Sequence, residues 1–173
     1  MRQLGRDELA AFVASAKSRA FHLETRDEYS SESEDQAVQD FLAGKTTDPY
    51  GPWFHSWENF VQNLTGRGVT MQRARIITVP HTRYIDYEHA LAPYNIAAGE
   101  DVRWLPRDQA DPDDSIADDY WLVDDHAVAY SLFDSGDWFI GGAVTSDPAI
   151  VGSARAIRDR VWARAVPHDQ YRT

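Results

Sequence analysis

Apolar residues recur along this chain with two periods, and the switches between them lay out the elements. In residues 7–20, Leu9, Phe12, Val13 and Ala16 fall on one helical face, with Asp7 placed to cap it. Residues 20–24 (AFHLE) then read as a short strand. Residues 26–35 are too charged to pack and predict a loop. Ala37, Val38, Phe41 and Leu42 predict a short helix closed by Gly44. The strongest helical stripe is Trp53, Trp57, Phe60, Val61 and Leu64, with Pro52 in the first turn and Gly66 at the end.

From Gly66 the period shortens. A Gly66–Gly68 turn feeds a strand over residues 69–79, ended by Pro80. Thr82 caps a helix running to Ala98, with Pro93 expected to kink or divide it and Gly99 to end it. Residues 102–105 form the next strand. A strand–helix–strand unit of this length is a right-handed crossover, so its two strands are expected to lie parallel. After a long acidic loop, residues 120–123, 127–133 and 138–144 read as strands joined by short turns, hence an antiparallel meander. Asp147-Pro148 opens a last helix with the stripe Ile150, Val151, Ala154, Ile157, Val161 and Trp162. The fold class that follows is α/β: a mixed, mostly antiparallel sheet with one βαβ crossover and a meander, flanked by helices. Residues 1–65 are expected to form a helical extension packed on a core of residues 66–173, the whole being one compact domain.

Composition narrows the function classes. A chain of 173 residues with 43% apolar content, six Trp, eight Tyr and seven Phe is globular. It lacks cysteine, which removes disulfides, thiolate metal sites and a cysteine nucleophile, and fits a reducing cytoplasm. No apolar run is long enough to span a membrane, and the N-terminus MRQLGRDELAAF lacks a signal core. The net charge of −11 opposes direct nucleic-acid binding. The acid is concentrated in residues 27–35 and 108–125, read as solvated loops. Asp111, Asp113 and Asp114 lack the central Gly and closing Glu of a calcium loop, and no histidine pair has metal-helix spacing, so neither metal nor cofactor is expected.

Candidate chemistry gathers on the strand MQRARII. Side chains alternate across a sheet, so Arg73 and Arg75 share a face with Ile77 and Val79. A buried guanidinium needs a carboxylate partner. The following helix offers a half-polar stripe of Tyr84, Glu88, Leu91 and Asn95, and the next strand region adds Glu100, Asp101 and Arg103. Arg75, Tyr84, Glu88, Glu100 and Arg103 could line a pocket at the strand ends, where open α/β sheets place ligands. They could equally form a structural ion-pair network. A second cluster, Glu24, Arg26, Asp27 and Tyr29 in FHLETRDEY, suits a strand edge running into a loop and would merge with the first if AFHLE pairs near Arg75. The aromatic face of Trp53, Trp57 and Phe60 serves either core packing or ligand stacking. Gly141-Gly142, inside a strand, marks a bulge or a close backbone approach.

The segments FHLETRDEY, AGEDVRWLPR, DYWLVDD, FDSGDWFIGG and RDRVWARAVPHDQY together resemble a family of uncharacterised actinobacterial proteins. That resemblance implies proteins encoded beside helix-turn-helix regulators. The order of elements also resembles the phospholipase D-like domain, which occurs as a non-catalytic effector module in transcription regulators. Active members carry His-X-Lys-X4-Asp. Aligned on Asp124, the Lys and His positions here hold Asp119 and Ala117; aligned on Asp125, they hold Tyr120 and Asp118. A phosphohistidine mechanism is thus unavailable, and no phosphodiesterase activity is expected.

Two functions compete on this reading. One is a non-enzymatic binding protein with a regulatory or signalling role, acting through a basic regulator protein and a small polar or anionic ligand, without direct nucleic-acid or membrane contact. The other is a cofactor-free isomerase, cyclase or hydrolase of secondary metabolism, with Glu88 or Glu100 as base and Arg75 or Arg103 holding an anionic substrate.

Overall fold

Short runs buried on both faces build the central strands of the computed structural model, which describes residues 1–172. Strands β1 (Arg2–Gly5), β2 (Arg19–Glu24), β3 (Thr70–Ile77), β4 (Glu100–Pro106), β5 (Tyr120–Val123), β6 (Ala127–Phe133), β7 (Phe139–Thr145) and β8 (Val166–Pro167) form one sheet, ordered β1-β7-β6-β5-β2-β3-β4-β8. The helices are α1 (Arg6–Ala14), α2 (Asp35–Leu42), α3 (His55–Thr65), α4 (Arg83–Ala98) and α5 (Pro148–Arg164). Thr82 caps α4, accepting the Ile85 N–H at 3.2 Å, and the helix continues undivided through Pro93. Asp147 caps α5.

The expected crossover is present: β3 and β4 are adjacent and parallel across α4. The meander β5-β6-β7 is antiparallel throughout. The first 65 residues depart from the expectation. They supply β1 at one edge of the sheet and β2 near its centre, so they do not form a helical extension. A second parallel pair, β2 with β3, is joined through α2 and α3. Burial of apolar side chains on both faces of β2 is what draws it inward: Ala20, Phe21 and Leu23 are fully buried.

One face of the sheet packs on α5 through Phe21, Leu23, Ala74, Ile76, Leu105 and Leu122. The opposite face carries α1, α3 and α4 over two apolar clusters. The first contains Leu9, Val61, Leu64 and Met71; the second contains Ile77, Tyr87, Leu91 and Trp104. Between them the alternation of β2 and β3 sets charged residues side by side, since His22 pairs with Arg73 and Glu24 with Arg75 in the parallel register.

The acidic runs are less solvated than their composition suggests. Asp114 is buried against the Arg160 guanidinium at 2.5 and 2.9 Å. Asp124 accepts the backbone N–H groups of Lys17, Ser18 and Arg19 at 2.8–3.0 Å, joining the β5–β6 turn to the start of β2. Gly141 marks a close approach: its φ is +143°, and a Cβ there would lie 2.1 Å from the Leu4 carbonyl oxygen of β1. Among the described residues, no helix is long and apolar enough to cross a membrane.

Candidate functional site

A cavity of about 540 Å³ lies on the α1/α3/α4 side of the sheet, and its floor is a network of two guanidiniums and three carboxylates. Arg73 is 7% exposed and Arg75 is 4% exposed, so each must find acceptors within the protein. Arg73 grips Glu100 through Nε at 2.8 Å and Nη2 at 3.3 Å, and donates from Nη1 to Glu24 at 2.8 Å. Arg75 places Nη2 2.5 Å from Glu88 and Nη1 2.8 Å from the second oxygen of Glu24. Trp57 of α3 donates its indole N–H to Glu100 at 2.6 Å, and Tyr84 of α4 donates its hydroxyl to Glu88 at 2.8 Å. The floor is therefore tied to the helices above it on both sides.

The spacing of α4 explains its part. Tyr84, Glu88, Leu91 and Asn95 form one buried stripe, and all four line the cavity. Aromatic side chains from α3 and the meander make the walls, including Trp57, Phe60, Trp121 and Phe133. His22 stacks on Trp121 with ring centroids 4.0 Å apart. Tyr29 and Glu34, from the loop after β2, lie with Tyr84 between this cavity and a second recess of about 730 Å³. Tyr29 donates to Asp119 at 2.5 Å. The Tyr84 hydroxyl also stands 3.3 Å from Glu34, so a single phenol bridges two carboxyl groups.

Electrostatics separates these acids. Burial opposes ionisation of Glu24, but the guanidiniums of Arg73 and Arg75 outweigh it and hold its carboxyl at about 2. Glu34 has no such partner in contact; burial and the neighbouring Glu88 push it up to about 8. Burial also raises Glu88 and Asp119. His22 is driven down to about 3, by burial first and then by the two arginines, and stays neutral.

Glu24, Arg75, Tyr84, Glu88 and Glu100 are thus brought together, and the AFHLE strand does merge the two expected clusters. Arg103 and Arg26 are not part of them. Arg103 lies on the opposite face of β4, paired with Asp101 at 3.2 Å and stacked 4.0 Å over Trp162 of α5. Its odd spacing from Glu100 already forces the two to opposite faces. Arg26 sits 4.1 Å over the Phe133 ring and pairs with Asp137 at 3.2 Å. Glu88 and Glu100, each bound to an arginine, are not free bases. Both guanidiniums are engaged by carboxylates, and the buried Arg75 Nε is the donor left without a partner. Glu34, Asp119 and His22 were missed: the first two lie in charge runs that read as solvated, and His22 is a lone histidine in a strand. Among the described residues, no group of three or more His, Cys, Asp or Glu side chains is placed to hold a metal ion.

No curated protein matches the chain. Among solved structures it resembles TrmBL2, described as an archaeal chromatin protein that shows a novel mode of DNA binding, with 12% identity, 91% of this chain covered and a TM-score of 0.49. The match spans 48% of that protein's chain, so this chain has about half its length. The expectation that nucleic acid is not contacted directly stands against this neighbour and is withdrawn. A net charge of −11 is a total over all residues and does not exclude a local contact surface. The resemblance to an uncharacterised family has a direct counterpart in a match over residues 7–173. The chain belongs to the family described as a domain of unknown function, DUF6879.

Proposed function

We propose that this domain is a non-enzymatic binding protein with a regulatory or signalling role, which takes a small polar ligand into the cavity over β2 and β3 and acts through a protein partner. The observation that carries this reading is the union of a closed ion-pair floor with aromatic walls around about 540 Å³. Ligand pockets combine apolar lining with a few fixed polar groups in this way. The arginines and their carboxylates neutralise and orient one another, which suits a preorganised binding surface better than a reacting one. The phospholipase D-like likeness and a cytoplasmic setting belong to the same proposal. The adjacent parallel strands β3 and β4 support the first, and the missing His-X-Lys-X4-Asp keeps it non-catalytic.

The test is a titration followed by the fluorescence of Trp57 and Trp121, which line the cavity. Metabolites that raise the melting temperature should also perturb this emission saturably. Ala10→Trp, at an exposed position of α1 on the cavity lining, should abolish both effects without loss of fold. Ligands that bind Ala10→Trp as tightly as wild type would place the site elsewhere.

One observation favours an enzyme instead: Glu34, protonated at neutral pH at a cavity wall, has the state of a general acid. On that reading a substrate is turned over rather than merely held, and Glu34→Gln lowers kcat while leaving KM nearly unchanged.

A further inference from the structure

Resting on the binding reading above, the polar groups of the cavity define the charge of what it takes. The lining carries five carboxyl groups, on Asp7, Glu24, Glu34, Glu88 and Asp119, against three guanidiniums, on Arg6, Arg73 and Arg75. An independent observation points the same way. Asn95, 4% exposed and on the cavity lining, leaves its Oδ1 with no hydrogen-bond partner. A buried acceptor without a donor is costly, and a ligand that brings N–H groups removes that cost. The walls suit a cation as well. Arg26 already lies 4.1 Å over Phe133, and Arg73 lies 5.4 Å from the Trp57 ring.

We propose that the cavity binds a small protonated amine with an apolar body, its ammonium group held beside Glu34 and Glu88 and its body against the aromatic walls. Glu34 is the carboxyl that changes state on binding. It faces Glu88 and Tyr84 from α4, Arg75 from β3 and Glu24 from β2, and of these charged neighbours Arg75 alone favours its ionisation. In the empty cavity a proton therefore neutralises Glu34 up to about pH 8. An ammonium group takes the place of that proton, and binding releases one proton to the buffer. Ammonium pairing with the ionised pair Glu34 and Glu88 is strong where water is excluded. An anion would find guanidiniums already paired with carboxylates, with the Arg75 Nε left over, and a surplus of negative charge. A neutral alcohol could donate to Asn95 but would leave Glu34 protonated.

The experiment compares matched probes on one carbon skeleton: phenethylamine, phenethyl alcohol and phenylacetate, together with their cyclohexyl counterparts. Each is titrated calorimetrically into the full chain and into Ala10→Trp. The amines should bind at least about tenfold more tightly than either partner, because an ion pair in a partly dry site is worth more than a neutral hydrogen bond. Their affinity should rise by up to about tenfold per unit between pH 6 and pH 8 and then level, since aliphatic amines stay charged through this window while Glu34 does not stay protonated. Heats measured in two buffers of different ionisation enthalpy should report the released proton. Glu34→Gln should weaken amine binding and flatten the pH profile; the wild-type profile and the buffer heats stand even if that variant folds poorly. Alcohols or carboxylates that match the amines, with binding still lost in Ala10→Trp, overturn the amine assignment and leave the cavity reading intact. Absence of binding by all three classes overturns both.

Discussion

Arg75→Met is the most informative single change, because it tests whether the floor of the cavity is held by charge. The arginine is 4% exposed, and its two terminal nitrogens lie 2.8 Å from Glu24 and 2.5 Å from Glu88. Methionine replaces much of the side-chain volume and removes the charge. Glu24 keeps Arg73, but Glu88 keeps only the Tyr84 hydroxyl. Stranding one member of a buried pair costs about 3–5 kcal/mol. Against a total stability of about 5–15 kcal/mol, that loss should lower the urea midpoint by roughly 2 M for a slope near 2 kcal/mol/M. The loss should depend on pH. Burial already raises Glu88, and removal of Arg75 raises it further, so the folded mutant binds a proton that the unfolded chain lacks. The mutant's deficit should therefore be largest near pH 7 and shrink as pH falls toward the ordinary carboxylate range of about 4–4.5. Adding Glu88→Leu should recover more than half of the deficit, since an apolar replacement leaves no stranded charge. Equilibrium urea unfolding at pH 5 and pH 7 measures all of this. A mutant as stable as wild type, or a deficit of equal size at both pH values, refutes the electrostatic account.

Four further outcomes can be checked separately. Glu34 sits at about 8 in the folded protein, above its ordinary 4.5, so its contribution to stability is full below pH 4.5 and is lost as pH rises toward 8; Glu34→Gln should flatten the melting temperature across that window. Asp124 shows the opposite sign. Backbone donors overcome burial and hold it at about 2, so its contribution is present above about pH 4 and lost as pH falls toward 2, and Asp124→Ala should cost about 1–2 kcal/mol in chemical denaturation at pH 7. Gly141→Ala places a methyl group 2.1 Å from the Leu4 carbonyl at a φ of +143°, so the β1–β7 pairing should open and amide exchange of residues 2–5 should speed up markedly. Arg103→Ala, on the far face of β4, should leave ligand binding in the cavity unchanged in calorimetry while losing the stacking on Trp162.

The elements were legible because their signals are local: Thr82 as a cap, Asp147-Pro148 as a helix start, and the short turns of the meander. Strand order was not. The alternation in FHLETRDEY suits a strand edge running into a loop and does not say which strands flank it; β2 lies between β5 and β3. The charge of Glu24 is tolerated inside because Arg73-X-Arg75 lies beside it, a match between segments about fifty residues apart that no single window contains. Arg103 was misplaced for a simpler reason. Strand parity puts Glu100 and Trp104 on one face and Arg103 on the other, however close they lie in sequence. Glu34 is hidden by the charge of its segment, since composition reports the average of a loop and not which of its members folds back over a cavity.

The five-membered network has a consequence for descent. Glu100 pairs with Arg73 and Glu88 with Arg75, while Glu24 is shared, so neither arginine can change alone without stranding a carboxylate in the interior. A lineage that exchanges one of them first passes through a form about 3–5 kcal/mol less stable, a large share of what a domain of this size possesses. Arg73 should therefore be lost only together with Glu100, and Arg75 only together with Glu88, across the family. Members that have traded the whole set for apolar residues would be those whose cavity has taken up a different ligand.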